Sequence, residues 1–315
     1  MPRSLLLAIA AGALSALFFV SVGLGSIGTI ILLYISLLPL FAIGLHAGFM
    51  ASAIACGLAT VLIAVALSPA AGGYFLIAFA MPVVILTNRA LLSRTDSDGN
   101  VEWYPPGYLL AILCGLALTG LAVAALVASG RDGGLFGAAR EVLNQLTGEM
   151  AVNDTNRELL ETARERIARY LPAMVLTSWQ IMVIINGLLA QGVLSRFGAN
   201  MRPGVPFSEI WLPPWLSILL PAALLGAFLP GDMGLWFTNA AIVAVLPFVF
   251  LGLSVIHAIS SRWPARMFFL ICVYFGLFVV GWPAAIIAAI GVLEPWIRLR
   301  QRFAGARDES EDEER

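Results

Sequence analysis

The chain has no lysine: all 18 of its basic side chains are arginines. Charge of either sign is scarce, at 12% of 315 residues, while 60% are hydrophobic. That balance is too apolar for a soluble globular domain. The net charge of −1 leaves no electrostatic footprint for nucleic acid. Cysteine occurs only at Cys56, Cys114 and Cys272, each inside an apolar run and none in a CxxC spacing. A disulfide framework and a thiolate metal module are thereby excluded, and the three are expected to be small buried packing residues. No GxxxxGK[ST], HExxH or GxSxG occurs, so the chain reads as non-enzymatic, with no cofactor and no P-loop ATPase of its own. "GLGSIG" at Gly23–Gly28 matches a dinucleotide fingerprint in letters alone. Its flanks are apolar helices rather than a strand and a helix N-terminus, so it reads as a glycine-rich turn.

What the sequence does have is long apolar runs, the mark of membrane spans. Nine blocks cover roughly 4–22, 27–45, 47–67, 73–92, 107–129, 171–195, 211–230, 235–259 and 267–293. The expected fold is an all-α polytopic transmembrane bundle of nine to ten spans with an extramembrane amphipathic insert. It divides into a bundle over 1–129, an insert over 130–170, a second bundle over 171–297, and a basic-then-acidic tail over 298–315. Pro82, Pro221 and Pro247 lie inside blocks, where a neighbour must satisfy the carbonyls they free. Pro172 is expected at the start of its helix, where a missing N–H costs nothing.

Arginine placement orients the bundle. With the N-terminus inside, Arg3, Arg89, Arg94, Arg196, Arg202, Arg262 and Arg266 fall in inner segments, and the short outer loops hold none. The outer segment 130–170 departs from this, with six arginines among seven acids. Gly281 and Pro283 can fold the last block into a hairpin, which puts the basic "RLRQRFAGAR" inside. Both termini are then cytoplasmic in a multi-pass protein of the bacterial inner membrane. Within 130–170, apolar residues recur at helical spacing from Leu135 to Met150 and again from Leu159 to Leu171. Thr155 and Glu158 form a capping-box pattern between them. Two amphipathic helices are expected, the second running into the sixth span, as a structural cap or a moving lid over the bundle.

The sixth block, "SWQIMVIINGLLAQGVL", carries the polar candidates. Thr177, Gln180, Gly187 and Gln191 share a face, with Trp179 and Asn186 at its border. Amides in hydrocarbon are costly unless paired, so they point into the bundle. There they either bond neighbouring helices or line a cavity for a small solute, Trp179 offering a stacking face. Arg169 and Tyr170 would lie at that cavity's mouth. His46 and His257 fall near inner span ends, as wet interfacial residues or as a proton relay. The acids nearest the membrane, Glu209, Asp232 and Glu294, lie at block edges. "RPGVPFSEIWLPPWL", Arg202–Leu216, is a proline-stiffened elbow whose tryptophans suit the headgroup layer.

In the first block Ala8, Gly12 and Ala16 recur at a spacing of four, a face nearly free of side chain. Such a stripe lets helix backbones approach closely, either within this chain or against a helix of another protein. The opening spans with "LPLFAIGLHAG", the elbow, "GLSVIHAISSR" and "GVLEPWIRLRQR" together resemble the YybS-like family of bacterial membrane proteins. That family is in turn distantly similar to the substrate-binding S components of energy-coupling-factor transporters. The resemblance implies a small-solute binding or transport subunit working with a separate energising partner. Its partners would be membrane lipids, a transmembrane coupling subunit and an unidentified solute, and Ala8, Gly12 and Ala16 would face the coupling subunit. S components have about six spans, and this chain has more, plus an outer insert. The alternative is a non-transporting scaffold or assembly factor.

Overall fold

The computed structural model describes residues 3–147, 154–204, 207, 210–261 and 263–302. It is an all-α helical protein. Thirteen helices are named here: α1 Arg3–Val20, α2 Ile27–Tyr34, α3 Leu38–Ala47, α4 Phe49–Ala66, α5 Pro69–Phe75, α6 Met81–Ala90, α7 Pro106–Ala128, α8 Gly134–Thr147, α9 Asp154–Arg196, α10 Pro214–Gly226, α11 Gly231–Ser260, α12 Arg266–Val279 and α13 Pro283–Ile297. A short antiparallel hairpin, β1 Ser93–Thr95 with β2 Val101–Trp103, joins α6 to α7.

Among the described residues, seven helical segments are long and apolar enough to cross a membrane, or eight if the bent α12–α13 pair is one span. The difference from nine blocks has two causes. Block 211–230 yields only the 13 residues of α10, about 20 Å of helix against a ~30 Å hydrocarbon core. The last block breaks at Val280–Trp282, where Gly281 takes φ 76°, and its two helices are bent by 116°. Two other spans are also interrupted. A turn at 35–37 separates α2 from α3, and a π-turn at Leu76–Ala80 separates α5 from α6.

Contacts divide the chain into two compact units, Met1–Leu113 with Ser178–Val205, and Cys114–Thr177 with Pro206–Arg315. The first unit is built on α1 against α4. Ala8, Gly12, Ser15 and Ala16 are buried there. They meet a second stripe, Ala51, Ala55 and Ala59, also buried and also spaced by four. A Cβ on Gly12 would come within 2.5 Å of the Ala55 carbonyl oxygen. The stripe is therefore occupied by this chain's own α4, which corrects the expectation that it receives an outside helix. The second unit is built on α11 against α13, where a Cβ on Gly291 would clash with the Phe248 carbonyl oxygen.

α9 carries a further correction. Its 43 residues are helical from Asp154 to Arg196, so Pro172 lies inside the helix rather than at its start and removes one donor from the backbone ladder. The amphipathic turns before it supply helical donors and acceptors that continue the span backwards. The backbone begins at Asp154; the side chain of Thr155, and with it the capping-box expectation, lies outside the described residues, as do Met150, Glu209 and the tail beyond 302. Cys56 and Cys114 are buried, but Cys272 is exposed, because α12 buries none of its residues.

Candidate functional site

Each helix interruption releases backbone groups, and the polar side chains singled out above are largely spent on them. In the first unit, α2 ends at Tyr34, and Leu38 N–H bonds the Ile35 carbonyl rather than the Tyr34 one. Asn186 Nδ2 donates to that Tyr34 carbonyl at 2.6 Å and to Met182 on its own helix at 2.7 Å. Pro82 lacks the N–H that would bond Ala78 four residues back. Trp179 Nε1 donates to the Ala78 carbonyl at 2.7 Å. Gln191 Nε2 donates to the Arg202 carbonyl at 2.8 Å. Gln180 and Asn186 are both 1% exposed, yet Gln180 Oε1 and Asn186 Oδ1 accept no hydrogen bond.

The same unit anchors the segment after α9. His46 Nδ1 donates to the Ala199 carbonyl at 2.8 Å, and Met201 N–H to the Leu45 carbonyl at 3.1 Å. Arg202 is buried and gives Nη1 to the Ala90 carbonyl at the C-terminal end of α6, at 3.1 Å. Cations are favoured there by the helix dipole. Burial still draws the Arg202 guanidinium below its ordinary pKa.

The second unit closes the Pro172 interruption. Asn239 on α11 accepts the Ala173 N–H on Oδ1 at 2.9 Å and donates Nδ2 to the Arg169 carbonyl at 3.0 Å. Those two backbone groups bond each other in an uninterrupted helix. Nearer the chain end, Glu294 is wholly buried rather than at an edge. Its carboxylate accepts Leu299 N–H at 2.9 Å and Arg300 Nε at 2.8 Å. Arg300 Nη1 reaches the Ile210 carbonyl at 2.9 Å and Ser254 Oγ at 3.3 Å, and its guanidinium lies 4.2 Å over the Trp211 ring. The elbow, the α11 end and the closing segment, three stretches far apart in sequence, meet on this one ion pair. His257 is held separately, donating Nδ1–H to the Leu253 carbonyl at 2.9 Å, with Tyr274 Oη 3.4 Å from Nε2.

A cavity of about 500 Å³ opens in the second unit between α7, α8 and the start of the α9 span. Its wall is apolar: Leu121 and Ala124 from α7, Leu135 and Ala139 from α8, Pro172 and Val175 from α9. Val123, Val127 and Val175 are each more than half exposed, so the cavity is open on its flank. Among the described residues, Arg131 is the one charged residue lining it. Arg131 Nη1 lies 3.7 Å from Glu141 Oε2, and both side chains are about 60% exposed. The cavity is not legible in the sequence, although the apolar stripe of α8 that roofs it is. Sequence reasoning also misses the Asn239 clamp, whose one signal is a lone amide inside a 30-residue apolar helix. No group of three or more His, Cys, Asp or Glu placed to hold a metal occurs among the described residues.

A family model described as predicted membrane protein (DUF2232) matches residues 12–294. The chain belongs to this family. The match covers parts of both compact units, takes in the cavity and Glu294, and stops short of Arg300. No curated protein and no solved structure matches the chain.

Proposed function

We propose that this multi-pass membrane protein is the binding subunit for a small amphipathic solute, whose apolar part seats in the cavity between α7, α8 and α9. The cavity carries this reading. Its ~500 Å³ lies within the range of small-molecule sites, which are concave and mostly apolar. The hydrophilic solute allowed by the sequence finds less support, because Trp179, Asn186 and Gln191 already hold backbone carbonyls. Gln180 Oε1 and Asn186 Oδ1 remain as buried acceptors for a water. In the orientation set by the arginines, the cavity faces the outer side of the bacterial inner membrane. A separate energising partner, as the S-component resemblance implies, belongs to the same proposal. The stripe at Ala8, Gly12 and Ala16 is not its docking face.

The test is retention of an acyl-chain probe with an uncharged head, such as a nitroxide-labelled monoacylglycerol, by the purified protein. Ala124→Phe and Ala139→Trp each place an aromatic ring in the cavity and should abolish retention at unchanged melting temperature. Full retention by both variants would overturn the reading. A second reading, a scaffold that transports nothing, is favoured by one observation: Trp179 and Asn186 of the sixth block tie α9 to backbone carbonyls at the α5–α6 turn and the end of α2. That reading expects no saturable probe binding in the parent protein.

A further inference from the structure

We infer that the occupant of this cavity is a zwitterionic membrane lipid, its chain in the apolar wall and its head read by the Arg131–Glu141 pair. The inference rests on the cavity reading above and adds the class of ligand. The flank exposed at Val123, Val127 and Val175 belongs to helices that cross the membrane, so the cavity opens toward lipid. A chain moving from the bilayer into an apolar cavity exchanges one hydrocarbon for another at little net change in free energy. Selectivity must therefore come from the head. The polar end of the cavity offers both signs of charge, a guanidinium on the lining and a carboxylate 3.7 Å from it. An exposed ion pair of that length is weak and is opened at little cost. A phosphodiester can then take Arg131 in a charge-assisted, bidentate contact, while a primary ammonium takes Glu141. A purely anionic head would meet Glu141 with repulsion; a purely cationic head would meet Arg131 likewise.

The experiment is native mass spectrometry of the full-length protein in detergent, offered equimolar phosphatidylethanolamine and phosphatidylglycerol with identical chains. The parent should retain phosphatidylethanolamine about tenfold over phosphatidylglycerol, the scale of one added charge-assisted hydrogen bond set against one repulsion. Glu141→Gln removes the ammonium's partner and frees Arg131, so the preference should reverse toward phosphatidylglycerol. Arg131→Gln should lower retention of both. Equal retention of the two lipids by the parent, or a preference unmoved in Glu141→Gln, overturns the headgroup inference. In that event, loss of all bound lipid in Ala124→Phe would leave the cavity reading standing. Lipid that survives Ala124→Phe is annular lipid, and both readings then fall.

Discussion

Asn186 and Asn239 do the same work in different units, and they differ in how much of each amide is matched. Each sits inside a long apolar helix. Each donates Nδ2 to its own helix four residues back and to a carbonyl at another helix's interruption. Asn239 also accepts Ala173 N–H, so its amide is used at both ends. Asn186 is used at one end, and its Oδ1 stays buried without a donor. The buried charges repeat the contrast. Glu294 and Arg300 in the second unit are mutually paired, whereas Arg202 in the first is buried on a helix-end carbonyl. A buried polar group that is fully matched stabilises; one half matched leaves a desolvation cost in place.

The largest test of that contrast is Glu294→Leu. Removing one partner of a buried pair typically costs about 3–5 kcal/mol, because the remaining charge is stranded. The variant should unfold well below the parent in a denaturant titration in detergent. Arg202→Gln should cost only about 1–2 kcal/mol, since a single charged hydrogen bond to Ala90 is lost. Comparable losses at the two sites would break the comparison.

Next comes the asparagine pair itself. Asn239→Leu leaves both Ala173 N–H and Arg169 C=O without the clamp, and should cost about 2–3 kcal/mol. Asn186→Leu loses the Tyr34 tie but also removes an unmatched acceptor, so its cost should be near 1 kcal/mol or less. Thermal unfolding of the two variants side by side reads the difference directly.

Much of the fold is legible in the sequence, and the reasons are physical. Twenty-residue apolar runs and the period of α8 follow from lipid and from the helix repeat, so α1, α4, α7, α9 and α11 can be placed from composition. The prolines mark interruptions at Pro82 and in the last block. What escapes reading depends on which helices meet. Ala8, Gly12 and Ala16 show that a close approach exists but not with whom; the matching Ala51, Ala55 and Ala59 lie in the fourth helix with nothing to link the two stripes. Trp179, Asn186 and Gln191 announce themselves as buried polar groups, but only three-dimensional contact shows that their partners are backbone carbonyls. Glu294 looks like an edge residue because Arg300 lies beyond the end of its helix, past Arg298 at φ 53°. A cavity is a gap between elements, and no residue pattern records it.

The smallest effect comes from a third side-chain clamp, this one titratable. Asp96 in the β1–β2 turn accepts backbone N–H groups from Asn100 and Asp98 at 2.9 Å each. The Asn100 N–H, followed by its side chain and the neighbouring amides, holds the carboxyl below its ordinary pKa. Its folded pKa is thus lower than its unfolded one. The hairpin is favoured above the ordinary aspartate range and loses that support as pH falls through the lowered value. Amide exchange at Asp98 and Asn100 should speed up over that acidic window beyond its intrinsic pH dependence. Asp96→Asn should remove the pH dependence, since the amide does not titrate.

The measurement that bears most directly on the central claim pairs Ala124→Phe with Asn186→Leu, following both probe retention and melting temperature. If the cavity is the site and the amide is a tie, Ala124→Phe loses the acyl probe and keeps its melting temperature. Asn186→Leu then keeps the probe and melts lower. Loss of the probe in Asn186→Leu with full retention in Ala124→Phe would contradict the account and return the ligand to the polar face of the sixth block.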